Sequence, residues 1–390
     1  MIERTAEHML LDRAANYPIV TVSGPRQSGK SSLCQKLFPA KPYVNLELPS
    51  ERRLATEEPE AFIGRFPNGA VIDEVQRVPD LFSVLQVRVD AQRRAGEFIL
   101  TGSENLVLSH RVSQSLAGRT ALVTLLPCDF EELQRFPNAP AAVFDVLARG
   151  GYPAIFDRNL DAVTWLDDYI ATYVERDVRS LLNVSDLTTF QTFLRLAAGR
   201  TGQLLNVASL ASDCGVSPNT ARSWLSVLEA GYIIHRLPPF FTNESKRLVK
   251  MPKLYFWDTG LACRLLGIRT AEQVFQHPLR GAIFETWVVS DFLKAALHRG
   301  QRPQMTFYRD RKGKEIDIVV ESPLGVTLIE VKSTTSIPDL RGAVPSAPEV
   351  LLDRGIRRRV LVHAGDQTVS TASVDAVSFR DIAQLAVEAI

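Results

Sequence analysis

The sequence predicts an α/β fold built in several parts, and three observations predict it. Short apolar runs alternate with helical stretches from Tyr17 to about Leu126; a glycine-rich loop joins the first of those runs to a helix; and two strands of period two recur near residue 320. Alternation of this kind belongs to a mostly parallel sheet covered by helices. The expected division is an α/β domain over 1–150, a helical connector over 151–202, a helix-turn-helix segment over 203–240 and a second α/β domain over 241–390.

The apolar runs at 19–22, 43–46, 70–72, 98–100 and 121–125 are the strands of the first domain. Beyond Arg149 the period becomes helical, with Trp165 and Tyr169 four apart on one face. In the last third a long helix over 281–297 precedes strands over 315–321 and 326–332. The 390 residues carry 45 basic and 44 acidic side chains, a net charge of +1, so no overall field draws the chain onto nucleic acid or an anionic membrane. Cys34, Cys128, Cys214 and Cys263 are isolated, without the spacing of a zinc site or a disulfide framework. Together with a charged amino terminus and no run of 18 apolar residues, this gives the expectation of a cytoplasmic protein with no membrane partner.

Gly24, Pro25, Arg26, Gln27, Ser28, Gly29, Lys30 and Ser31 spell a phosphate-binding loop, with a second hydroxyl at Ser32. The glycines let backbone N–H groups wrap a phosphate, Lys30 reaches the β and γ phosphates, and Ser31 can hold magnesium. A strand precedes the loop and a helix follows it, adding the partial positive charge of its N-terminus. The run Ala70-Val71-Ile72 then ends in Asp73 and Glu74, at the strand edge where open α/β sheets bind ligands. Asp73 is expected to hold magnesium, directly or through water, and Glu74 to polarise the attacking water of ATP hydrolysis. Thr101 or Ser103, at the end of another strand, is expected to orient that water. Arg119, in Ser115-Leu-Ala-Gly-Arg119, has two readings: it neutralises charge on the γ phosphate, within its own chain or across the interface of a ring-shaped homo-oligomer, or it is a surface arginine in a turn.

Residues 207–213 read as a short helix, Cys214-Gly215-Val216 as a tight turn, and Ser217-Pro218 as the cap and first position of a second helix ending before Gly231. Ala221, Trp224, Leu225 and Leu228 are its inner face; Asn219, Arg222, Ser223 and Ser226 its outer face. With a strand from Tyr232, the pattern is that of a winged helix. DNA is one expected partner, through Asn219, Arg222 and the cluster Lys246, Arg247, Lys250 and Lys253. One arginine is little charge for a DNA-reading helix, and a protein-binding lid remains the other reading.

Near the carboxyl end, Glu315-Ile-Asp317 and Glu330-Val-Lys332 lie on strands separated by a four-residue turn. A hairpin closed there pairs residue i with residue 647 minus i, placing Asp317 opposite Glu330 and Glu315 opposite Lys332. Opposed carboxylates repel unless a cation lies between them. Glu285, on the apolar face of the long helix, is a third candidate acid. The readings are a second divalent metal site, Mg2+ or Mn2+, with Lys332 orienting a water, or a solvated hairpin in which Glu315 pairs with Lys332.

Gly-Pro-Arg-Gln-Ser-Gly-Lys-Ser at 24–31, Val-Ile-Asp-Glu-Val-Gln at 71–76, Ile-Leu-Thr-Gly-Ser at 99–103 and Leu-Ala-Gly-Arg at 116–119 resemble the prokaryotic AAA+-type ATPase family whose members carry an uncharacterised C-terminal domain. Asp-Thr-Gly-Leu at 258–261, Phe-Glu-x-x-Val at 284–288 and the Glu-Ile-Asp and Ile-Glu-Val-Lys pair resemble that C-terminal part, which is similar to PD-(D/E)XK nucleases. The resemblance implies an AAA+-like P-loop sheet centred on Lys30, Ser31, Asp73 and Glu74, a winged helix, and a restriction-endonuclease-like domain with Glu285, Asp317, Glu330 and Lys332 in the metal-site positions. The expected function is an ATPase acting on DNA; the alternatives are an ATP-gated protein switch and an ATP-gated, metal-dependent DNase.

Overall fold

Five strands form where the apolar runs of the first domain stand: β1 (Ile19–Ser23), β2 (Tyr43–Asn45), β3 (Ala70–Asp73), β4 (Phe98–Gly102) and β5 (Thr120–Thr124). The structure is a computed structural model, and it describes residues 1–103, 116–174, 187–240, 250–337 and 339–390. The chain divides into two units, one of Met1–Pro127, Ala230–Tyr232 and Leu297–Gly300, the other of Cys128–Glu229, Ile233–Ala296 and Gln301–Ile390.

In the first unit every strand pair is parallel, in the order β2-β3-β4-β1-β5. The sheet is apolar on both faces because helices cover both. Val20, Val22, Val71 and Ile99 join Leu10 and Leu33 in one core, while Ile19, Ile72, Phe98 and Leu100 join Phe62, Phe82 and Leu85 in the other. Inserting β4 between β1 and β3 sets Thr101 beside Val22 and next to the end of β3. The ends of three neighbouring strands therefore meet at the loop that follows Ser23.

The second unit contains a three-stranded antiparallel sheet and a six-stranded mixed sheet. The small sheet, in the order β6-β8-β7, joins β6 (Gln203–Leu204), β7 (Ile234–Leu237) and β8 (Lys253–Phe256). It therefore runs past residue 240, where the sequence reading ended the segment, because the return strand of the hairpin lies beyond the basic stretch. The helices Leu187–Ala198, Val207–Asp213 and Pro218–Ala230 accompany it. Gly215 has φ +69 in the turn, and Ser217 Oγ accepts from the Thr220 N–H at 3.1 Å as the cap. Ala221, Trp224, Leu225 and Leu228 are buried, with the Trp224 ring edge-on to Phe190 and Phe193 at 5.3 and 5.0 Å.

The six-stranded sheet has the order β13-β14-β12-β11-β10-β9. Its members are β9 (Gln304–Arg309), β10 (Glu315–Ser322), β11 (Gly325–Lys332), β12 (Ile356–His363), β13 (Val369–Ser370) and β14 (Asp375–Ser378). The hairpin β10–β11 has the predicted register, Ile318 opposite Ile329 through Ser322 opposite Gly325. Against β9 the register of β10 shifts between Ile316 and Val319, a bulge at Asp317. No helix among the described residues is long and apolar enough to cross a membrane.

Candidate nucleotide site and C-terminal carboxylate centre

The loop between β1 and the helix Lys30–Leu37 is built around two positions, Gly24 and Gly29, where the backbone calls for glycine. A Cβ on Gly24 would stand 2.0 Å from the Leu125 carbonyl oxygen, and Gly29 has φ +96 at the helix start. Gln27 also takes a positive φ, +63. Lys30 is 5% exposed, and its Nζ donates to the carbonyls of Gly24 at 2.8 Å and Pro25 at 2.7 Å. Desolvation lowers its pKa to about 8 despite the nearby acids Glu74 and Asp73. Ser28 Oγ is buried without a hydrogen-bond partner. Arg26 reaches toward Glu47 at 3.9 Å, and Ser32 is exposed in the first turn of the helix.

Asp73 collects the hydroxyls around it. Its Oδ2 accepts from Ser31 Oγ at 2.8 Å and Tyr43 OH at 2.5 Å; its Oδ1 accepts from Thr101 Oγ1 and from the Glu74 N–H at 3.1 Å. Glu74 has φ +56, and its Oε2 accepts from Ser103 Oγ at 3.1 Å and from Gln76 Nε2. Of the two hydroxyls offered for Glu74, Ser103 lies there and Thr101 turns to Asp73. The residues fit Mg-ATP: a buried ammonium, an orphaned hydroxyl and helix N–H groups suit phosphate, and Ser31 with Asp73 suits magnesium. When bound, magnesium would offset the charge of the β and γ phosphates.

Tyr43, Gln76 and Arg4 were missed by sequence reasoning. Arg4 donates to the carbonyls of Ser28 and Leu126, both at 2.8 Å, tying the loop to the end of the sheet. Nothing in an arginine four residues from the chain start signals this; Gln76 two residues after the acid pair was legible. Arg119 requires a correction. It precedes Thr120, which pairs with Ile19 at the opposite edge of the sheet, about 13 Å of strand from the loop, and it forms a forked ion pair with Asp90 at 2.6 and 2.8 Å. It does not reach the phosphate site of its own chain.

Asn219, Arg222 and Lys250 are exposed, with Arg222 donating to Asn219 Oδ1 at 2.7 Å. Ser223 and Ser226 share that exposed face. Lys246 and Arg247 lie outside the described residues. Lys253, grouped with them in the sequence, is 2% exposed, and this is a second correction. Its Nζ stands 2.8 Å from Glu285 Oε1, 2.6 Å from Glu315 Oε1 and 3.6 Å from Asp317 Oδ1. Burial alone would lower its pKa, but Glu285, Asp317 and Glu315 raise it on balance.

The predicted acids are therefore neighbours, but with a lysine among them. Desolvation, then the charge of Asp317, raises both Glu285 and Glu330 to about 7; desolvation also raises Asp317. Glu285 also accepts from Tyr255 OH at 2.6 Å, Asp317 Oδ2 from the Val331 N–H at 2.9 Å, and Glu330 from Lys332 Nζ at 2.7 Å. Glu315 pairs with Lys253 and Arg309, so its expected pairing with Lys332 is not formed. Among the described residues, Glu285, Asp317 and Glu330 do not bring ligand atoms within 4.8 Å of one another. A signal for Lys253 existed: a lysine heading the apolar run Leu254-Tyr-Phe-Trp257 is costly unless paired.

An AAA domain matches residues 16–134, and two domains of unknown function, DUF8612 and DUF4143, match residues 141–272 and 280–382. Uncharacterised proteins of Mycobacterium tuberculosis and Mycobacterium bovis are each 33% identical over 400 residues, covering 96% of this chain and 86% of theirs. Among solved structures, a Walker-type ATPase of Pyrococcus abyssi aligns with 67% of this chain and 94% of its own at 16% identity and a TM-score of 0.45. The RuvB Holliday junction branch migration motor of Thermotoga maritima aligns with 60% of this chain and 87% of its own, at 19% identity and a TM-score of 0.32.

Proposed function

The chain belongs to the family of these uncharacterised mycobacterial proteins and carries an AAA domain, and on that premise we propose that it is a Mg-dependent ATPase that acts on DNA. The observation that carries the ATPase reading is the meeting of Ser31 and Thr101 on Asp73, with Glu74 adjacent and Lys30 buried in the loop. Lys30 and the loop N–H groups hold the phosphates. Ser31 and Asp73 hold magnesium, and Glu74, oriented by Ser103 and Gln76, takes up the proton of the attacking water.

The DNA reading rests on the helix-turn-helix geometry, in which Asn219 and Arg222 stand on the exposed face of the second helix, followed by an antiparallel hairpin. This arrangement supports a winged helix, and the C-terminal mixed sheet supports a nuclease-like fold used for binding. A protein-binding lid is the competing reading, favoured by the single arginine on the exposed face of that helix, already bonded to Asn219. ATP turnover measured with single-stranded, duplex and branched DNA at several salt concentrations separates the two. Stimulation that falls steeply with salt is expected; turnover indifferent to every DNA would refute action on DNA.

A further inference from the structure

We infer that the C-terminal carboxylate centre carries its cation within the chain, Lys253 Nζ standing where a divalent metal would have to sit. The ammonium has three N–H donors. Glu285 Oε1 accepts one at 2.8 Å, Glu315 Oε1 forms an ion pair with Nζ at 2.6 Å, and Asp317 Oδ1 faces it at 3.6 Å. The ring of Phe307, 5.5 Å from Nζ, adds an aromatic face beside the charge. A metal among the same oxygens would meet this charge at a few ångströms with little water to screen it.

The lysine is also fixed in its backbone. Lys253 opens β8, the central strand of its sheet, and pairs with Leu204 on one side and Leu237 on the other. Withdrawing it would break both pairings or fold a buried ammonium against apolar neighbours. The other acids are committed as well: Asp317 Oδ2 to the Val331 N–H, Glu285 to Tyr255, and Glu330 Oε1 to Lys332. Glu330 Oε2, buried without a hydrogen-bond partner, is the oxygen a metal would still find open. The expected metal-site residues therefore do not fit a metal in this chain. A lysine on the small sheet instead joins that sheet to β10 and to the helix Arg280–His298.

Mn2+ binding to the full chain without nucleotide, followed by electron paramagnetic resonance, tests it. Wild-type and Asp317→Asn chains are expected to bind Mn2+ identically, because no site depends on Asp317. Lys253→Met removes the ammonium that Glu285, Glu315 and Asp317 share and leaves their charge unbalanced, so it is expected to gain one Mn2+ site, lost again when Asp317→Asn is added. A wild-type site that disappears in Asp317→Asn overturns the inference, as does a folded Lys253→Met chain with no new site. Should Lys253→Met fail to fold, the comparison of wild type with Asp317→Asn decides alone.

Discussion

Asp73 is 3% exposed and accepts four hydrogen bonds, two at each oxygen. That network orients the carboxylate before any ligand arrives. Lys30 is poised differently: its ammonium is held by carbonyls alone and burial brings its pKa to about 8. Phosphates arriving beside it favour the charged form, so binding takes up a proton wherever the free loop has lost one. Nucleotide affinity is therefore expected to be flat below about pH 8 and to fall by up to about tenfold per pH unit above it. Lys30→Arg, charged throughout, should flatten that curve in a fluorescent-nucleotide titration. Lys30→Ala should lower ATP turnover by about 100-fold or more, as the loop has no other charge of that reach; wild-type turnover would refute the assignment of the loop. The phosphate loop was legible because each of its residues answers a local need. Tyr43 was not, since a partner 30 residues away, Asp73, decides what it does; the run after Lys253 signals that the lysine needs a partner, but not that the partner is Glu285, 32 residues on.

At the scale of elements, the helix-turn-helix was readable down to which side chains face inward, because turn glycine, cap and apolar spacing all act within one stretch of chain. The hairpin register was equally local, set by the turn. The bulge at Asp317 was not, because it depends on β9, a strand with no signal in the sequence reading. The Asp258-Thr-Gly260-Leu motif gains a structural meaning. Asp258 Oδ1 caps the helix Thr259–Leu265 at 3.0 Å while Oδ2 accepts from the Gly151 N–H at 2.7 Å, and a Cβ on Gly260 would meet the Gly150 nitrogen at 2.7 Å. With Asp258 1% exposed, Asp258→Ala is expected to cost about 3 kcal/mol in urea unfolding, leaving two buried N–H groups unpaired. On the exposed face of the second helix, Arg222→Ala should weaken DNA binding and reduce the slope of log affinity against log salt by about 1. An unchanged slope would place Arg222 off the DNA.

For the whole molecule, the parts lie in a definite order along the chain: an AAA domain, a helix-turn-helix with its sheet, and a mixed sheet whose carboxylates enclose a lysine. Composition excluded a global charge effect but could not assign Arg119, whose place at the far edge of the sheet follows from strand order. That order is set by β4 entering between β1 and β3, a choice made by packing on both faces of the sheet. The central claim is that Glu74 acts on water while Lys30, Ser31 and Asp73 hold Mg-ATP. Nucleotide binding and phosphate release measured together on Glu74→Gln test it most directly. The expected result is binding within a few-fold of wild type with phosphate release reduced about 100-fold or more; release at the wild-type rate, or loss of binding itself, would contradict it.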